Sequence, residues 1–443
     1  MSAQIQKGAC PLLAVPEDLL CGGMIPDCRV LLMARTCKWM QLTLQRGRCG
    51  VDIRVKKKVS KDARVARLVA PGINNLQLDF RIRRFECSAP LRYFQLRFND
   101  FEELTLMHLR TLKMDANQLT ELHMLSVLFM FTFSFDMRTF EFTQQSLKSR
   151  HIPWLAQCLR RFTRLEALNL DKNFFVFDSL ELVLDAIQTT TLSTLNLSTN
   201  SCENECKTLK LCRVIQTNSN CLRVLNLSFM RLCQSSPDEA LFDSMVNAIS
   251  ACRFLEGIDL SHNHLHYGRL MDVLKATAGF RLQSFNWSAN RLGSAGTFIL
   301  GTHIMHNDIW KATLREVKLS MCDVYNGLQL LSEALTMCKG LKSLDISSNA
   351  VYAHEVASMF ANPSITSLNI NSNYISDYGM QLVLERAMQS PTLKELHVLG
   401  NHMTTQTLRR FRQLNRKRQI AVCMPSTACV CNVCQSAGQT SAA

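Results

Sequence analysis

The sequence predicts an α/β solenoid, with a parallel sheet on its concave side, helices on its convex side and about 11 to 13 stacked repeats. Three observations predict this. A pattern of nine residues, L-x-x-L-x-L-x-x-N, recurs along the chain. Its spacing is close to constant. The residues between copies carry apolar side chains at helical spacing.

The copies read Leu165-Leu168-Leu170-Asn173, Leu192-Leu195-Leu197-Asn200, Leu255-Ile258-Leu260-Asn263, Leu282-Phe285-Trp287-Asn290, Leu341-Leu344-Ile346-Asn349, Ile365-Leu368-Ile370-Asn373 and Leu393-Leu396-Val398-Asn401. Two more, Leu222-Leu225-Leu227 and Leu314-Val317-Leu319, carry Met230 and Cys322 in place of asparagine. From Leu165 to Leu393 the chain takes eight steps in 228 residues, a mean of 28.5. Stepping upstream by 28 finds Met137-Phe140-Phe142 and Leu109-Leu112-Met114-Asn117. Two shorter units precede these at 18-residue steps, Leu91-Phe94-Leu96-Asn99 and Ile73-Leu76-Leu78.

Each L-x-L pair alternates, so both leucines point to one side of a short strand. The asparagine is placed to bond backbone groups where the chain turns away. The stretch after it reads as helix: Leu180, Val183, Leu184 and Ile187 fall at i, i+3, i+4 and i+7, as do Met380, Val383, Leu384 and Ala387. Ser376 or Asp377 is placed to cap the latter helix. No unit buries its apolar face alone, so the repeats must stack. Longer steps place insertions at Gln234–Glu239 and near His303–Trp310. The register predicts that Leu260 and Ile346 are buried, and that outward-pointing Asp259 and Asp345 tolerate alanine.

These residues resemble the leucine-rich repeat, and the 27–28-residue length with its N-L-S-x-N core resembles the ribonuclease-inhibitor-like subclass. The resemblance covers 73–420 and implies a horseshoe that binds a protein partner on its concave face. Around it lie an N-terminal tail (1–13), a distinct segment (14–44), a basic connection (45–72) and a flexible Cys-containing tail (421–443).

Segment 14–44 runs Ala14-Val15-Pro16-Glu17-Asp18-Leu19-Leu20, then Pro26-Asp27, then an apolar stretch ending Cys37-Lys38-Trp39. It is similar to an F-box, in degenerate form, with Gly22-Gly23 where a first helix should continue. That resemblance implies docking to the adaptor of a cullin–RING ubiquitin ligase through Pro16, Leu19, Leu20, Leu31 and Leu32, with Trp39 packing the segment onto the solenoid. The other reading of the segment is a cap on the first repeat.

The 443 residues are 47% apolar and 19% charged, which excludes a mostly disordered chain. The net charge is +14, concentrated at two places. Arg46 to Arg97 holds fourteen basic residues against four acidic, including Lys56, Lys57 and Lys58. Arg409 to Arg418 holds six basic residues and no acid, including Arg416, Lys417 and Arg418. Such patches suit an acidic partner, protein or nucleic acid. The N-terminus lacks an apolar signal core, and 19 cysteines fall at irregular spacing in apolar segments, which suits buried thiols in an intracellular, cytoplasmic or nuclear protein. No apolar run reaches membrane-spanning length.

The sequence holds no phosphate-binding loop, no G-x-S-x-G and no H-E-x-x-H, so no enzyme, metal or cofactor is expected. His262-x-His264-x-His266 straddles the end of a strand, where the rings need not converge. Three N-x-S sequons, at Asn196, Asn226 and Asn286, follow from the strand core. On the outward strand positions most residues are Asn, Asp or Ser. Phe229, Lys318, Met321, Glu395 and His397 depart from that pattern and are the candidate partner contacts. The function expected is a non-catalytic interaction scaffold, with the F-box-type substrate receptor as its sharper form. The alternatives are a GTPase regulator of the Ran-activator type and a repeat protein associated with nucleic-acid complexes.

Overall fold

The computed structural model describes strand backbones between residues 39 and 115, and residues 137–423 apart from 145–146, 148, 176–177, 203, 233–238, 326 and 419. Side chains are described from Met137 onward, except at 239, 408, 414, 416–418 and 423. The chain divides into Met1–Ser201 and Cys202–Ala443.

In the first unit the strands are β1 (Trp39–Gly47), β2 (Gly50–Val59), β3 (Ala63–Leu68), β4 (Ile73–Leu78), β5 (Ile82–Cys87), β6 (Tyr93–Arg97), β7 (Glu103–Thr105), β8 (Thr111–Asp115), β9 (Thr139–Thr143), β10 (Ala167–Asn169) and β11 (Thr194–Asn196). The described helices are α1 (Ile152–Arg161) and α2 (Ser179–Ile187). One sheet runs β1-β2-β4-β6-β8-β9-β10-β11 and a second runs β3-β5-β7. All these pairings are parallel except β1 with β2.

Two features of this unit differ from the sequence reading. Residues 45–72, read as a basic connection, carry the end of β1 and all of β2 and β3, and β2 joins the parallel ladder with Val55 opposite Leu78. Its Val51, Ile53, Val55 alternation has a strand's period of two, but without the leucine pattern it escapes a search for that pattern. The shorter repeats also return through β3, β5 and β7 rather than through helices. The 18-residue steps, from Leu76 to Phe94 and from Phe94 to Leu112, leave room for a second strand, not for a helix with its two connections. Trp39, read as the end of the apolar stretch of the F-box-like segment, begins β1. Residues 14–38, which contain Pro16, Leu19, Leu20, Leu31 and Leu32, lie outside the described residues.

The second unit alternates α3 (Glu205–Thr217), β12 (Val224–Asn226), α4 (Glu239–Ser250), β13 (Gly257–Asp259), α5 (Tyr267–Thr277) and β14 (Ser284–Asn286). There follow α6 (Gly293–His306), α7 (Asp308–Thr313), β15 (Glu316–Lys318), α8 (Leu328–Thr336), β16 (Ser343–Asp345) and α9 (Ala353–Met359). It ends with β17 (Ser367–Asn369), α10 (Asp377–Gln389), β18 (Glu395–His397), α11 (Thr405–Arg418) and β19 (Ala421–Cys423). The strands lie in chain order, and their pairing is parallel throughout. This is the leucine-rich-repeat solenoid that the pattern predicts. Its central residues Leu225, Ile258, Phe285, Val317, Leu344, Leu368 and Leu396 stand opposite one another and are buried. β19 adds a strand where the sequence reading placed the start of a tail. The insertion near His303–Trp310 becomes the end of α6 and α7. Its Trp310 is fully buried, with Nε1 donating to Thr277 O at 3.2 Å.

The asparagines hold neighbouring repeats together. Asn290 Nδ2 donates to Leu260 O of the preceding repeat (2.9 Å) and to Trp287 O of its own (3.0 Å). Its Oδ1 accepts from Asn263 N and Leu265 N, both at 3.0 Å. Asn200, Asn263, Asn349, Asn373 and Asn401 donate in the same way to carbonyls 30, 36, 30, 27 and 31 residues back. A buried carboxamide satisfies four backbone groups that would otherwise be left without water. The residue before each ladder position is left-handed. Lys172 and Thr199 in the first unit, and Phe229, His262, Ala289, Met321, Ser348, Ser372 and Gly400 in the second, have φ between +53° and +70°.

Candidate protein-docking face

On each three-residue strand of the second unit the central residue faces the helices, so its two neighbours and the residue two further on share the open face of the sheet. The last strand residue does structural work there. Asn226, Asp259, Asn286, Asp345 and Asn369 each accept, through Oδ1, the backbone N–H two residues on, at 2.9–3.1 Å. Asn169 and Asn196 do the same in the first unit. The aspartates do more. Asp259 also accepts from Ser261 Oγ (2.7 Å) and Asn286 Nδ2 (2.8 Å), and Asp345 from Ser347 Oγ (2.6 Å) and Asn369 Nδ2 (2.9 Å). Asp259 and Asp345 point outward as the register predicts, but they also knit the sheet, which argues against the expectation that alanine is tolerated there. The sequon asparagines Asn196, Asn226 and Asn286 are engaged in the same way.

Two repeats lack this acceptor, and in both the preceding repeat supplies it. Lys318 cannot cap Ser320, whose N–H goes to Ser288 Oγ at 3.1 Å. His397 stands in place of the cap for Leu399, whose N–H goes to Asn371 Oδ1 at 2.6 Å. Lys318 is thereby released. Its Nζ stands 2.9 Å from Glu316 Oε1, and its side chain is 41% exposed.

Of the five candidate contacts, the structure presents four. Phe229 is 48% exposed and Met321 55% exposed, while Lys318 and Glu395 are half-buried. Glu395 accepts from Ser367 Oγ at 3.2 Å. His397 is the exception, since it has no exposed surface. It lies between β17 and the added strand β19, opposite Asn369 and Cys423, in a position that would be an open edge without β19. Burial holds its imidazole below the usual range, against the raising effect of Glu395 and Asp345.

Phe229 and His262 occupy successive left-handed positions, and their rings stack at 3.8 Å and 14°. Burial lowers the affinity of His262 for a proton, opposed by Asp259. His262 was not singled out as a contact in the sequence; the signal that finds it is its position immediately before the ladder asparagine. The three imidazoles of the His262–His266 run diverge, because His266 Nδ1 caps α5 through Gly268 N at 3.1 Å. No group of three metal-binding side chains occurs among the described residues.

The open face of this unit also carries an electrostatic sign opposite to that of the whole chain. Asp259, Glu316, Asp345 and Glu395 lie on it with Lys318 as the basic residue of the strand positions, although the chain is +14. Of the basic patches, Lys56, Lys57 and Lys58 lie in β2, and Arg416, Lys417 and Arg418 end α11. Their side chains are outside the described set.

No family model matches the chain. No curated protein matches it either. Among solved structures it is similar to an internalin of Listeria monocytogenes, with 13% identity over 76% of this chain and 81% of that one, at a TM-score of 0.40. It is also similar to the complex of Rad7 and Elc1 in yeast, with 14% identity over 68% of this chain and 78% of that one, at a TM-score of 0.47. No helix among the described residues is long and apolar enough to cross a membrane.

Proposed function

We propose that this chain is a non-catalytic protein-interaction scaffold, and that the open sheet face of the second unit docks a partner with Phe229 and Met321 as its anchors. The observation that carries this reading is where those two side chains stand. Left-handed backbone disfavours a large side chain, and the equivalent positions hold Thr199, Ala289, Ser348, Ser372 and Gly400, with Lys172 and the His262 that stacks on Phe229 as the other large residues. A phenylalanine and a methionine on strained backbone, each about half exposed, are spare apolar surface on a face otherwise made of polar residues. The acidic strand positions favour a partner surface that offers lysine or arginine beside an apolar side chain. The test is affinity capture from the source cell with the wild-type chain and with Phe229→Ala/Met321→Ala. Loss of the captured partner at an unchanged melting temperature supports the reading; retention of the same partner by the double variant removes it.

The sharper reading, an F-box-type substrate receptor, is supported by the Pro16-Glu17-Asp18-Leu19-Leu20 start and the apolar stretch through Leu31 and Leu32. Under it, Leu19→Ala/Leu20→Ala abolishes capture of a cullin-ligase adaptor while the repeats stay folded. Under the capping reading no adaptor co-purifies, and the same double substitution lowers the melting temperature.

A further inference from the structure

The step from Leu344 to Leu368 is 24 residues, the shortest between paired strands of the second unit, where the others run from 26 to 33. The residues lost come from the helix. α9 has seven residues, whereas α8 before it has nine and α10 after it has thirteen. Asn362 fixes the early turn, with Nδ2 donating to Leu335 O (2.8 Å) and Cys338 O (3.0 Å) of the repeat before. α10 runs on past the end of α9, and Leu382, Arg386 and Gln389 form an i, i+4, i+7 stripe along one wall of the space beside the short helix.

The space left is a groove of about 430 Å³. That is within the ~300–1,000 Å³ typical of ligand sites. Phe360, Leu382, Ala357 and Ala361 give it an apolar lining, and Arg386 and Gln389 stand on one side of it. Arg386 is the one formal charge in the lining, and among the described residues it has no ion pair. The acid beside it, Glu385, is held by Arg410 at 3.2 Å. The hydrogen bond that Arg386 makes is a long one, 3.4 Å to Gln389 Oε1.

We propose that this groove is a second binding site, on the helical side of the unit, for a short acidic peptide segment of a partner. An aliphatic side chain fills the space of the missing turn over Phe360 and Leu382, and a neighbouring carboxylate takes the guanidinium of Arg386. Charge decides the occupant. A lining with one unpaired cation and no acid rejects a basic segment and gives a carboxylate a forked, charge-assisted pair.

The test uses the full chain and a fluorescein-labelled peptide of alternating aspartate and leucine, read by anisotropy, with a lysine–leucine peptide in parallel. Because the chain is basic overall, Arg281→Glu, at an exposed arginine outside the groove lining, serves as a control that changes net charge by the same amount as Arg386→Glu. The expected result is saturable binding of the acidic peptide, weakened about tenfold or more by Arg386→Glu and by the groove-filling Ala361→Trp, and little changed by Arg281→Glu. Ala361 is exposed, so this variant folds as the wild type does, and its circular dichroism checks that. The proposal is overturned by absence of binding at millimolar peptide, by equal loss in Arg386→Glu and Arg281→Glu, or by acidic-peptide binding that Ala361→Trp leaves intact. Binding of the lysine–leucine peptide that Ala361→Trp abolishes overturns the charge assignment.

Discussion

Cys322 Sγ lies 3.4 Å from the carbonyl oxygen of Trp287, in the position that asparagine holds in the neighbouring repeats. A thiol is a weak donor, and beyond this contact to the repeat before it offers no amide oxygen to accept the backbone N–H groups that a ladder asparagine takes. Cys322→Asn should therefore raise stability by about 1 kcal/mol, the usual net value of a hydrogen bond gained. Denaturant midpoints of the two proteins measure this. A Cys322→Asn chain less stable than wild type would mean that the site is shaped for sulfur.

The buried thiols predict an alkaline limit. Burial pushes Cys158, Cys252 and Cys322 up to about 12, and Cys212 and Cys338 up to about 11. An unfolded cysteine ionises near 9. Above that pH the unfolded chain holds fewer protons than the native one, so stability falls as pH rises. The contribution is whole below pH 9 and is lost progressively between 9 and about 12. Native-state alkylation at pH 8 should label exposed Cys206 and spare these five, as peptide mapping would show.

Trp287 is fully buried, and its Nε1 has no hydrogen-bond partner among the described residues. An unmet buried donor costs roughly 1–3 kcal/mol. Trp287→Phe removes that cost and loses some packing, so the net change should stay within about 1 kcal/mol. Phe285→Ala, which only opens a cavity in the adjacent aromatic cluster, should lose about 3–5 kcal/mol. Parallel thermal melts decide whether the order holds.

Asp259 and Lys318 occupy the same position in different repeats, and the effects of alanine there should differ. Asp259→Ala deletes an acceptor for three donors and should cost about 1.5–3 kcal/mol. Lys318→Ala should be close to neutral, because Ser288 already bonds Ser320. Equal losses would show that the serine does not replace the missing cap.

Phe229→Gly separates folding from recognition. Glycine accepts φ of +54° without strain, so the variant should match or exceed wild-type stability by up to about 1 kcal/mol. Partner capture should nevertheless fail. A clear fall in melting temperature would assign the Phe229–His262 stack to the fold.

The pattern of leucine and asparagine was enough to read the strand register, the buried ladder and the Ser376 cap of α10, whose Oγ accepts from Gly379 N at 3.2 Å. These depend on local spacing, and spacing is visible in a sequence. Strands β1 and β2 were missed because they alternate Met, Leu, Val and Ile without the repeat signature, and β3 because its apolar residues do not alternate regularly. The burial of His397 was missed because it depends on β19, a three-residue strand recognisable through its partner. The roles of Asp259 and Asp345 were misread because outward direction was taken for freedom. Phe229 and Met321 stood out by side-chain type, yet their left-handed backbone, which gives them their meaning, has no signature in composition.

Each ladder asparagine grips the repeat before it and none further away. Under tension, the second unit should therefore give way one coil at a time. A released step such as Leu368 to Leu396 contains 28 residues, or roughly 90–100 Å of extended chain. Stretched in an optical trap, the unit should lengthen in increments of about that size. The first rupture should fall at an end of the array, where a coil has a neighbour on one side alone.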